Sequence, residues 1–210
     1  MNNPWLEIPA ADYEGHMQLS SVRQLQFLAK TFQDSLNKYD PSSIAYLGCA
    51  TGNGLDSVTN EKTQRVTAFD INPEYLSIVR QRYQHKIKGL STIQADLTQY
   101  NDHDQRYTLV FAGLLFEYLD PASLLPKIAQ WLTKDGVLVV VLQLDSSHVK
   151  KISATPFTSL NRLDSIMHLL TPNDFKQLAH TSGLKEFDYQ QVVLESGKPF
   201  YIGAFKLCKS

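Results

Sequence analysis

Several features that would assign the chain to a special class of proteins are scarce in its sequence. Only two of its 210 residues are cysteines, Cys49 and Cys208, which is too few for a disulfide framework and suits a reducing compartment. The 20 Lys and Arg residues are scattered and are balanced by 21 Asp and Glu residues, so the basic surface that nucleic-acid phosphates require is not expected. The longest apolar run, residues 109–116, is far shorter than the roughly 18 residues of a membrane span.

The N-terminal sequence also lacks the pattern of a secretory signal. It begins Met-Asn-Asn-Pro-Trp-Leu-Glu, with no positive charge ahead of its apolar residues and no long apolar core. Neither internal repeats nor low-complexity linkers divide the chain. We therefore expect a soluble, cytoplasmic protein with one domain over residues 1–210, without a nucleic-acid or membrane partner. The sequence does not predict its oligomeric state.

What the sequence does contain is an alternation of strand and helix patterns. Apolar residues recur at helical spacing over residues 20–39, with Ser20 or Ser21 as the N-cap. Helices are also expected after Asn72-Pro73, from near Ser123 towards a C-cap at Gly136, and from Thr171-Pro172 to Gly183, with a short one at 55–59. The expected strands are residues 44–47, 65–69, 90–95, 107–112, 137–144, 184–194 and 200–208.

This order of elements predicts the fold class. Strand and helix alternate five times, and the chain then closes with two strands around the turn at residues 195–199. We predict an α/β fold with a doubly wound, mostly parallel, seven-stranded sheet and a C-terminal antiparallel hairpin. A ligand is expected at the carboxyl ends of the parallel strands.

A glycine-rich loop, Gly48-Cys49-Ala50-Thr51-Gly52-Asn53-Gly54, follows the first predicted strand. It does not match the G-x-G-x-x-G fingerprint of dinucleotide-binding proteins, because Ala50 and Asn53 stand where that pattern needs glycine. No Lys-Ser or Lys-Thr follows it either, which excludes a P-loop. The loop is either a ligand-binding turn or a strand-to-helix turn that merely needs tight geometry.

Two acids follow the next two predicted strands. Asp70 lies 22 residues after Gly48, where a carboxylate can accept both hydroxyls of a ribose; alternatively, it is a helix N-terminal acid. Asp96 ends the third strand and can accept a hydrogen bond from an exocyclic amine; alternatively, it is a simple turn residue.

Taken together, these motifs resemble those of the class I S-adenosylmethionine-dependent methyltransferases. The resemblance covers residues 44–145 in the order and spacing of that family. It rests on Tyr-Leu-Gly-Cys-Ala-Thr-Gly-Asn-Gly-Leu (46–55), Ala-Phe-Asp-Ile-Asn-Pro-Glu-Tyr-Leu (68–76), Gln-Ala-Asp-Leu (94–97) and Leu-Thr-Lys-Asp-Gly-Val-Leu-Val-Val (132–140).

The resemblance implies a Rossmann-like methyltransferase fold, S-adenosyl-L-methionine as cofactor and a set of cofactor-binding residues. The 48–54 loop would pass beneath the methionine part of the cofactor, Asp70 would bind the ribose, and Asp96 with the backbone of Leu97 would bind the adenine. The implied set is Gly48, Cys49, Ala50, Gly52, Asn53, Asp70, Ile71, Asp96, Leu97 and Ala112.

Two positions depart from the family pattern. Tyr46 stands two residues before the first glycine, where most members carry an acid that helps to hold the amino group of the cofactor. Ala50 replaces the middle glycine of the loop. Both changes leave room for a member that binds the cofactor weakly or not at all.

Few residues near the predicted site suit acid–base chemistry. Glu117 follows the fourth strand and is our candidate catalytic residue, since an apolar setting would raise its pKa enough to accept a proton; otherwise it is a surface acid near a helix start. Residues 1–40 are expected to form an N-terminal lid and the first helix, and His16 lies in this lid. Alternatively, it is a capping or solvated histidine. Tyr13 or Tyr118 could face the sulfonium. His148, His168 and His180 have no metal-like spacing, so no metal is expected.

A long connection over residues 145–171 interrupts the alternation and carries apolar residues that favour an ordered structure. We expect it to cap the acceptor pocket, with a helix at 165–170. The leading hypothesis is a methyltransferase that acts on a small-molecule acceptor. The alternatives are a non-catalytic or vestigial cofactor-binding module with a regulatory role and, less favoured, a dinucleotide-dependent oxidoreductase.

Overall fold

The computed structural model describes residues 3–101, 105–146 and 150–208. One seven-stranded sheet organises them, in the order β3-β2-β1-β4-β5-β7-β6. Only β7 runs against its neighbours, β5 and β6, so the predicted mostly parallel sheet with a C-terminal antiparallel hairpin is confirmed. The strands are β1 (Ser43–Leu47), β2 (Arg65–Asp70), β3 (Leu90–Gln94), β4 (Tyr107–Gly113), β5 (Leu132–Gln143), β6 (Leu184–Val193) and β7 (Pro199–Leu207).

Helices cover both faces of this sheet, because its central strands are apolar on both sides. Ile44 and Tyr46 of β1 face one core and Ala45 and Leu47 face the other. Helices α1 to α3 pack on the first face, and α4 and α5 on the second. They are α1 (Ala10–Gln18), α2 (Gln24–Tyr39), α3 (Pro73–Tyr83), α4 (Pro121–Trp131) and α5 (Pro172–Thr181), with 3-10 helices at Pro4–Glu7, Leu55–Ser57 and Thr158–Leu163.

The helix starts follow local capping chemistry where the sequence provides it. The side chain of Asn72 accepts a hydrogen bond from the Glu74 N–H, and that of Thr171 accepts one from the Asp174 N–H, as predicted. Asp120 caps α4 in the same way, so this helix begins at Pro121 rather than near Ser123.

Other predicted boundaries were wrong. The helix expected over 20–39 begins only at Gln24, after a turn that buries Val22 completely. Gly136 lies within β5 instead of capping α4, and a bulge between the β4 and β5 pairings allows that strand to begin at Leu132. Residues 165–170 are not helical, since the regular turn of this segment lies at Thr158–Leu163.

Candidate functional site

The glycine loop turns sharply at the carboxyl end of β1. Gly48, Gly52 and Gly54 have φ angles of 60°, 88° and 84°, which are easily adopted only by glycine. Ala50 also has a positive φ, 46°, so the methyl group that replaces a glycine hydrogen is accommodated in a left-handed conformation at some cost in energy. A Cβ on Gly48 would lie 2.9 Å from Leu115 Cδ1, a contact that the leucine side chain can relieve by moving, so the positive φ is the main reason for glycine here.

Asp70 connects this loop to the end of β2. Its Oδ2 accepts a hydrogen bond from the Ala50 N–H at 2.8 Å, and its Oδ1 accepts one from the Asn72 N–H at 2.9 Å. Burial raises the pKa of Asp70 to about 6, although these backbone donors oppose the shift. The Ile71 N–H also interacts with this carboxylate, which has about four acceptor positions in all, so the side chain keeps the capacity to accept a hydrogen bond from a ligand.

Asp96 and Leu97 lie one strand further along, beyond the end of β3. Asp96 is exposed, and its Oδ1 accepts hydrogen bonds from the backbone N–H and the hydroxyl of Thr98. Leu97 is buried. The turn role weighed for Asp96 is therefore present, and it leaves the second carboxylate oxygen available to a ligand.

A pocket opens along this edge of the sheet. It brings together six of the predicted cofactor-binding residues: Gly48, Ala50, Asp70, Ile71, Asp96 and Leu97. The other four do not line it: Cys49, Gly52, Asn53 and Ala112.

Two of the residues outside the lining hold the loop in place. The Asn53 amide donates to the backbone carbonyl of Leu25 in α2 at 2.8 Å. The Tyr46 hydroxyl donates to the carbonyl of Asn53 at 2.9 Å, while its ring packs between Phe32 and Phe111. Tyr46 therefore braces the loop from the core and does not take the ligand-facing place of the family's acid.

The N-terminal segment covers the same pocket and is fastened to the loop and to α3. The Asn72 amide donates to the Trp5 carbonyl and the Tyr75 hydroxyl to the Ile8 carbonyl. From α1, Glu14 accepts a hydrogen bond from Thr51 in the glycine loop and pairs with Arg82 of α3.

Aromatic side chains from this cover line the pocket beside residues of the β4 loop. The ring of Trp5 lies edge-on to Tyr118 at a centroid distance of 5.0 Å and 6.2 Å from Tyr13. All three line the pocket. Sequence reasoning named both tyrosines but missed Trp5, because no motif around this residue indicated a site.

Glu117 lies behind the pocket rather than in its lining. It is only 1% exposed, so the surface alternative weighed for it is wrong. Its Oε1 accepts a hydrogen bond from the Gln143 N–H at 2.6 Å, and its Oε2 has no partner among the described residues. Burial raises the pKa of Glu117 to about 7, as expected for a carboxyl group in an apolar setting.

The connection over 145–171 folds against the pocket as well, where the structure describes it. Its apolar side chains Ile152, Leu160, Leu163 and Met167 belong to the lining. The segment is tied to α1, since the Ser159 hydroxyl donates to Asp12 at 2.5 Å, and to the first 3-10 helix through the ion pair of Arg162 with Glu7.

Four buried polar side chains, His16, Gln24, Gln143 and Lys198, line the pocket together with the exposed Lys151 of this connection. All four are at most 6% exposed. His16 is therefore buried in the pocket lining and is neither the capping nor the solvated histidine considered from the sequence. Sequence reasoning missed the other three. Lys198 in particular stands in a Ser-Gly-Lys-Pro turn, a pattern that favours a solvated lysine.

Within the described ranges, no three His, Cys, Asp or Glu side chains are grouped as metal ligands would be. His148 lies outside those ranges. In the same parts of the chain, no helix has the length and apolar character needed to cross a membrane.

The chain is similar to known proteins in its sequence motifs and in its fold. Residues 44–136 match the family model described as a methyltransferase domain. No curated protein sequence matches the chain significantly.

Solved structures share the fold at low sequence identity. The N-methyltransferase NodS from Bradyrhizobium japonicum, in complex with S-adenosylhomocysteine, has a TM-score of 0.69 at 16% identity, with 93% of this chain and 96% of that chain covered. A Burkholderia thailandensis 1,6-didemethyltoxoflavin-N1-methyltransferase, with its substrate and S-adenosylhomocysteine bound, has a TM-score of 0.67 at 14% identity, with 95% and 85% covered.

A third neighbour carries a different activity. The [4+2]-cyclase SpnF has a TM-score of 0.70 at 10% identity, with 93% of this chain and 88% of that chain covered. The fold therefore does not decide the reaction. The family-model match over residues 44–136, the sheet order and the glycine loop bonded to Asp70 support the resemblance of this part of the chain to the class I S-adenosylmethionine-dependent methyltransferases.

Proposed function

We propose that the protein transfers a methyl group from S-adenosyl-L-methionine to a small-molecule acceptor. The observation that carries this proposal is one continuous pocket that joins the loop and acids at the ends of β1 to β3 with an apolar, covered space beyond β4 and β5. The first part suits a nucleoside with an amino-acid tail, and the second suits a small organic molecule. A cytoplasmic location, inferred from the two cysteines, remains a prediction.

The residues of the first part fit the cofactor of this family. Asp70 can accept hydrogen bonds from the two ribose hydroxyls, and Asp96 with the backbone of Leu97 can hold the adenine. Gly48 lets the backbone approach the methionine part closely, since no Cβ stands there. Ile71 contributes apolar lining beside Asp70. When bound, the cofactor supplies an electrophilic methyl group on a positively charged sulfur.

The chain's own contribution to such a transfer is to align the two reactants and to exclude water. Trp5, Tyr13 and Tyr118 present aromatic rings to the pocket, and these can stabilise a nearby positive charge. The N-terminal segment and the connection 145–171 cover it, joined to each other through Ser159 and Asp12. We infer that the first serves as a lid and the second as the acceptor cap.

Glu117 lies outside the pocket lining and contacts the end of β5. Because it does not line the pocket and binds the Gln143 N–H, we infer that it positions the end of β5 and does not itself take a proton from the acceptor.

Incubation with a metabolite extract and methyl-labelled S-adenosylmethionine tests the proposed function. Mass spectrometry is expected to find a labelled product that does not form with the Asp70→Ala variant. If the protein binds S-adenosylhomocysteine and yet labels nothing, the non-catalytic module is the better description. Tyr46, in place of the family's acid, is the observation that favours this second candidate.

Affinity for S-adenosylhomocysteine is expected to fall as the pH is lowered through about 6. Ribose hydroxyls donate to the ionised form of Asp70, whose pKa burial raises to about 6, so binding is strong above that pH and weakens below it. Affinity at pH 5 should be about tenfold lower than at pH 7. Isothermal titration calorimetry measures this, with Asp70→Asn as a weaker, pH-independent control. A wild-type affinity that stays constant between these pH values contradicts the role of Asp70.

Asp96→Asn is expected to weaken S-adenosylhomocysteine binding by about 1–2 kcal/mol, or roughly 5- to 30-fold. The amide oxygen can still accept the Thr98 N–H, so the turn is retained while the charged acceptor for the adenine amine is lost. The control is Asp34→Asn, on the exposed side of α2. Calorimetry that shows equal affinity for both variants would reduce Asp96 to a turn residue.

A further inference from the structure

A buried lysine without an acidic partner lies in the acceptor part of the pocket. Lys198 directly precedes β7, is 2% exposed and belongs to the pocket lining. Its Nζ donates to the Lys151 carbonyl at 2.7 Å and to the Gln143 Oε1 at 3.4 Å. Both partners are neutral, and no ion pair joins Lys198 to a carboxylate within residues 3–101, 105–146 and 150–208.

An isolated buried cation is costly, and proteins normally pair it with an anion. The cost is visible in the pKa of Lys198, which burial lowers to about 8, so the ammonium form still predominates at pH 7. An ammonium group has three N–H donors, and two of them are directed at Gln143 and Lys151. The third donor and the positive charge are left for a ligand.

Neighbouring side chains provide further hydrogen-bond donors beside the Lys198 ammonium group. Gln143 is fixed by its own contacts, since its amide donates to the Lys151 carbonyl and its Oε1 accepts from both Lys198 and Gln24. Gln24 therefore has a second amide hydrogen to offer. His16 has a buried Nδ1 without a partner among the described residues. Burial and the charge of Lys198 lower its pKa to about 4, so at neutral pH it is an uncharged imidazole with one N–H.

We propose that Lys198, with Gln24 and His16, binds a carboxylate group of the methyl acceptor. The buried positive charge of Lys198 balances one negative charge, the other lysine of the lining, Lys151, is exposed, and the few free buried donors suit a group with two oxygens, which favours a carboxylate over a phosphate dianion. The surrounding lining is apolar and comes from Met17, Leu28, Ile152, Leu160, Leu163 and Met167. The acceptor is thus a small, largely apolar carboxylic acid. This inference rests on the proposed function, because it identifies the substrate class of the same pocket.

The test compares matched ligands on the wild-type protein saturated with S-adenosylhomocysteine. Calorimetric titrations use phenylacetate, phenylacetamide and benzylphosphonate, and also hexanoate and hexanamide. At least one carboxylate is expected to bind tenfold or more tightly than its amide, and phenylacetate at least as tightly as benzylphosphonate. Equal affinity for acid and amide, a preference for the phosphonate, or no binding of either carboxylate overturns the proposal.

Variants then test whether Lys198 causes the preference for the carboxylate over the amide. Lys198→Met keeps the length of the side chain without its charge, and it is expected to abolish the preference for the carboxylate while changing S-adenosylhomocysteine affinity by less than about twofold. Lys206→Met removes an exposed lysine of β7 and should change neither. Gln24→Leu, a second variant, should weaken carboxylate binding several-fold. A carboxylate preference that persists in Lys198→Met contradicts the assignment.

The same titrations without S-adenosylhomocysteine separate this proposal from the proposed function. A wild-type protein that binds carboxylates through Lys198 but does not bind S-adenosylhomocysteine would overturn the methyltransferase proposal and retain the anion site. The opposite result would retain the cofactor site and exclude a carboxylate acceptor.

Discussion

S-adenosylhomocysteine, at about 100 times its dissociation constant, is expected to raise the melting temperature of the wild-type protein by roughly 5–11 °C. A ligand at this concentration adds about 2.7 kcal/mol to the stability of the native state. For a chain of this size, each kcal/mol corresponds to about 2–4 °C. Differential scanning fluorimetry measures the shift. NADH, tested in parallel, should give no comparable shift, since the loop lacks the dinucleotide fingerprint.

Asp70→Ala should remove most of that rise. Even one lost hydrogen bond to a charged acceptor is worth about 1.5–3 kcal/mol, which lowers affinity about tenfold or more and roughly halves the shift at the same ligand concentration. The variant also loses the acceptor of the Ala50 and Asn72 N–H groups, so its melting temperature without ligand should fall too. The shift within each variant is therefore the quantity to compare.

Asp34→Ala is the matched control, because Asp34 pairs with Lys30 on the exposed side of α2. It should keep the full wild-type shift. A shift with NADH and none with S-adenosylhomocysteine would contradict the cofactor assignment. No shift with either ligand would favour a vestigial scaffold.

Much of the fold could be predicted because its signals are local. A strand that is buried on both faces is recognisable as an apolar run, as in β1 and in the apolar part of β5. Asn72-Pro73 marks a helix start whatever surrounds it, and the structure agrees. The start of α2 could not be predicted in this way, because Val22 is buried after a turn that only the tertiary structure requires.

Helix α1 was missed for a related reason. Its inward-facing residues are Ala10, Tyr13, His16 and Met17, and a polar or small residue at two of these positions weakens the amphipathic pattern. His16 is buried in the lining of a pocket that it shares with Lys198 and the connection 145–171, which are remote in the sequence.

The two parts of the candidate site differ in how far the sequence predicts them. Gly48, Asp70 and Asp96 stand at the ends of successive strands, so their meeting at one sheet edge follows from the order of elements. Gln24 and Lys198 come from distant parts of the chain and have no spacing that links them. Gln143 ends an apolar strand, and its polar side chain is buried there because it bonds to Gln24, Lys198 and the Lys151 carbonyl, contacts that no local pattern reveals.

Substitution of Glu117 is expected to have the second large effect, because the ionisation of its buried carboxyl group makes the stability of the protein depend on pH. Its pKa in the folded protein is about 7, against an ordinary value of 4.5. The stability associated with the raised pKa is fully present below about pH 4.5 and is lost as the pH rises through about 7. Glu117→Gln cannot ionise and retains an oxygen for the Gln143 N–H. It is therefore expected to be at least as stable as the wild type at pH 8, by up to about 3 kcal/mol, with a smaller dependence of stability on pH.

Glu117→Ala should behave differently, because it leaves the buried Gln143 N–H without an acceptor, at a cost of about 1–3 kcal/mol, and adds a cavity. Urea denaturation at pH 5 and pH 8 measures both variants. A Glu117→Gln variant that unfolds more readily than the wild type at pH 8 would show that the ionised carboxylate is needed for the fold.

The rate at which labelled product forms distinguishes a positioning role of Glu117 from proton transfer by this residue. If Glu117 acts through Gln143, Glu117→Gln should keep the rate of labelling within a few-fold of wild type, because the backbone of β5 and the amide that faces Lys198 stay in place. Glu117→Ala should lose labelling and carboxylate binding together while it still binds S-adenosylhomocysteine. If Glu117 instead accepts a proton from the acceptor, Glu117→Gln should lower the rate by about 10²–10⁴ without weakening carboxylate binding. That result would restore Glu117 as the catalytic residue expected from the sequence and would require the pocket to open towards it when the acceptor binds.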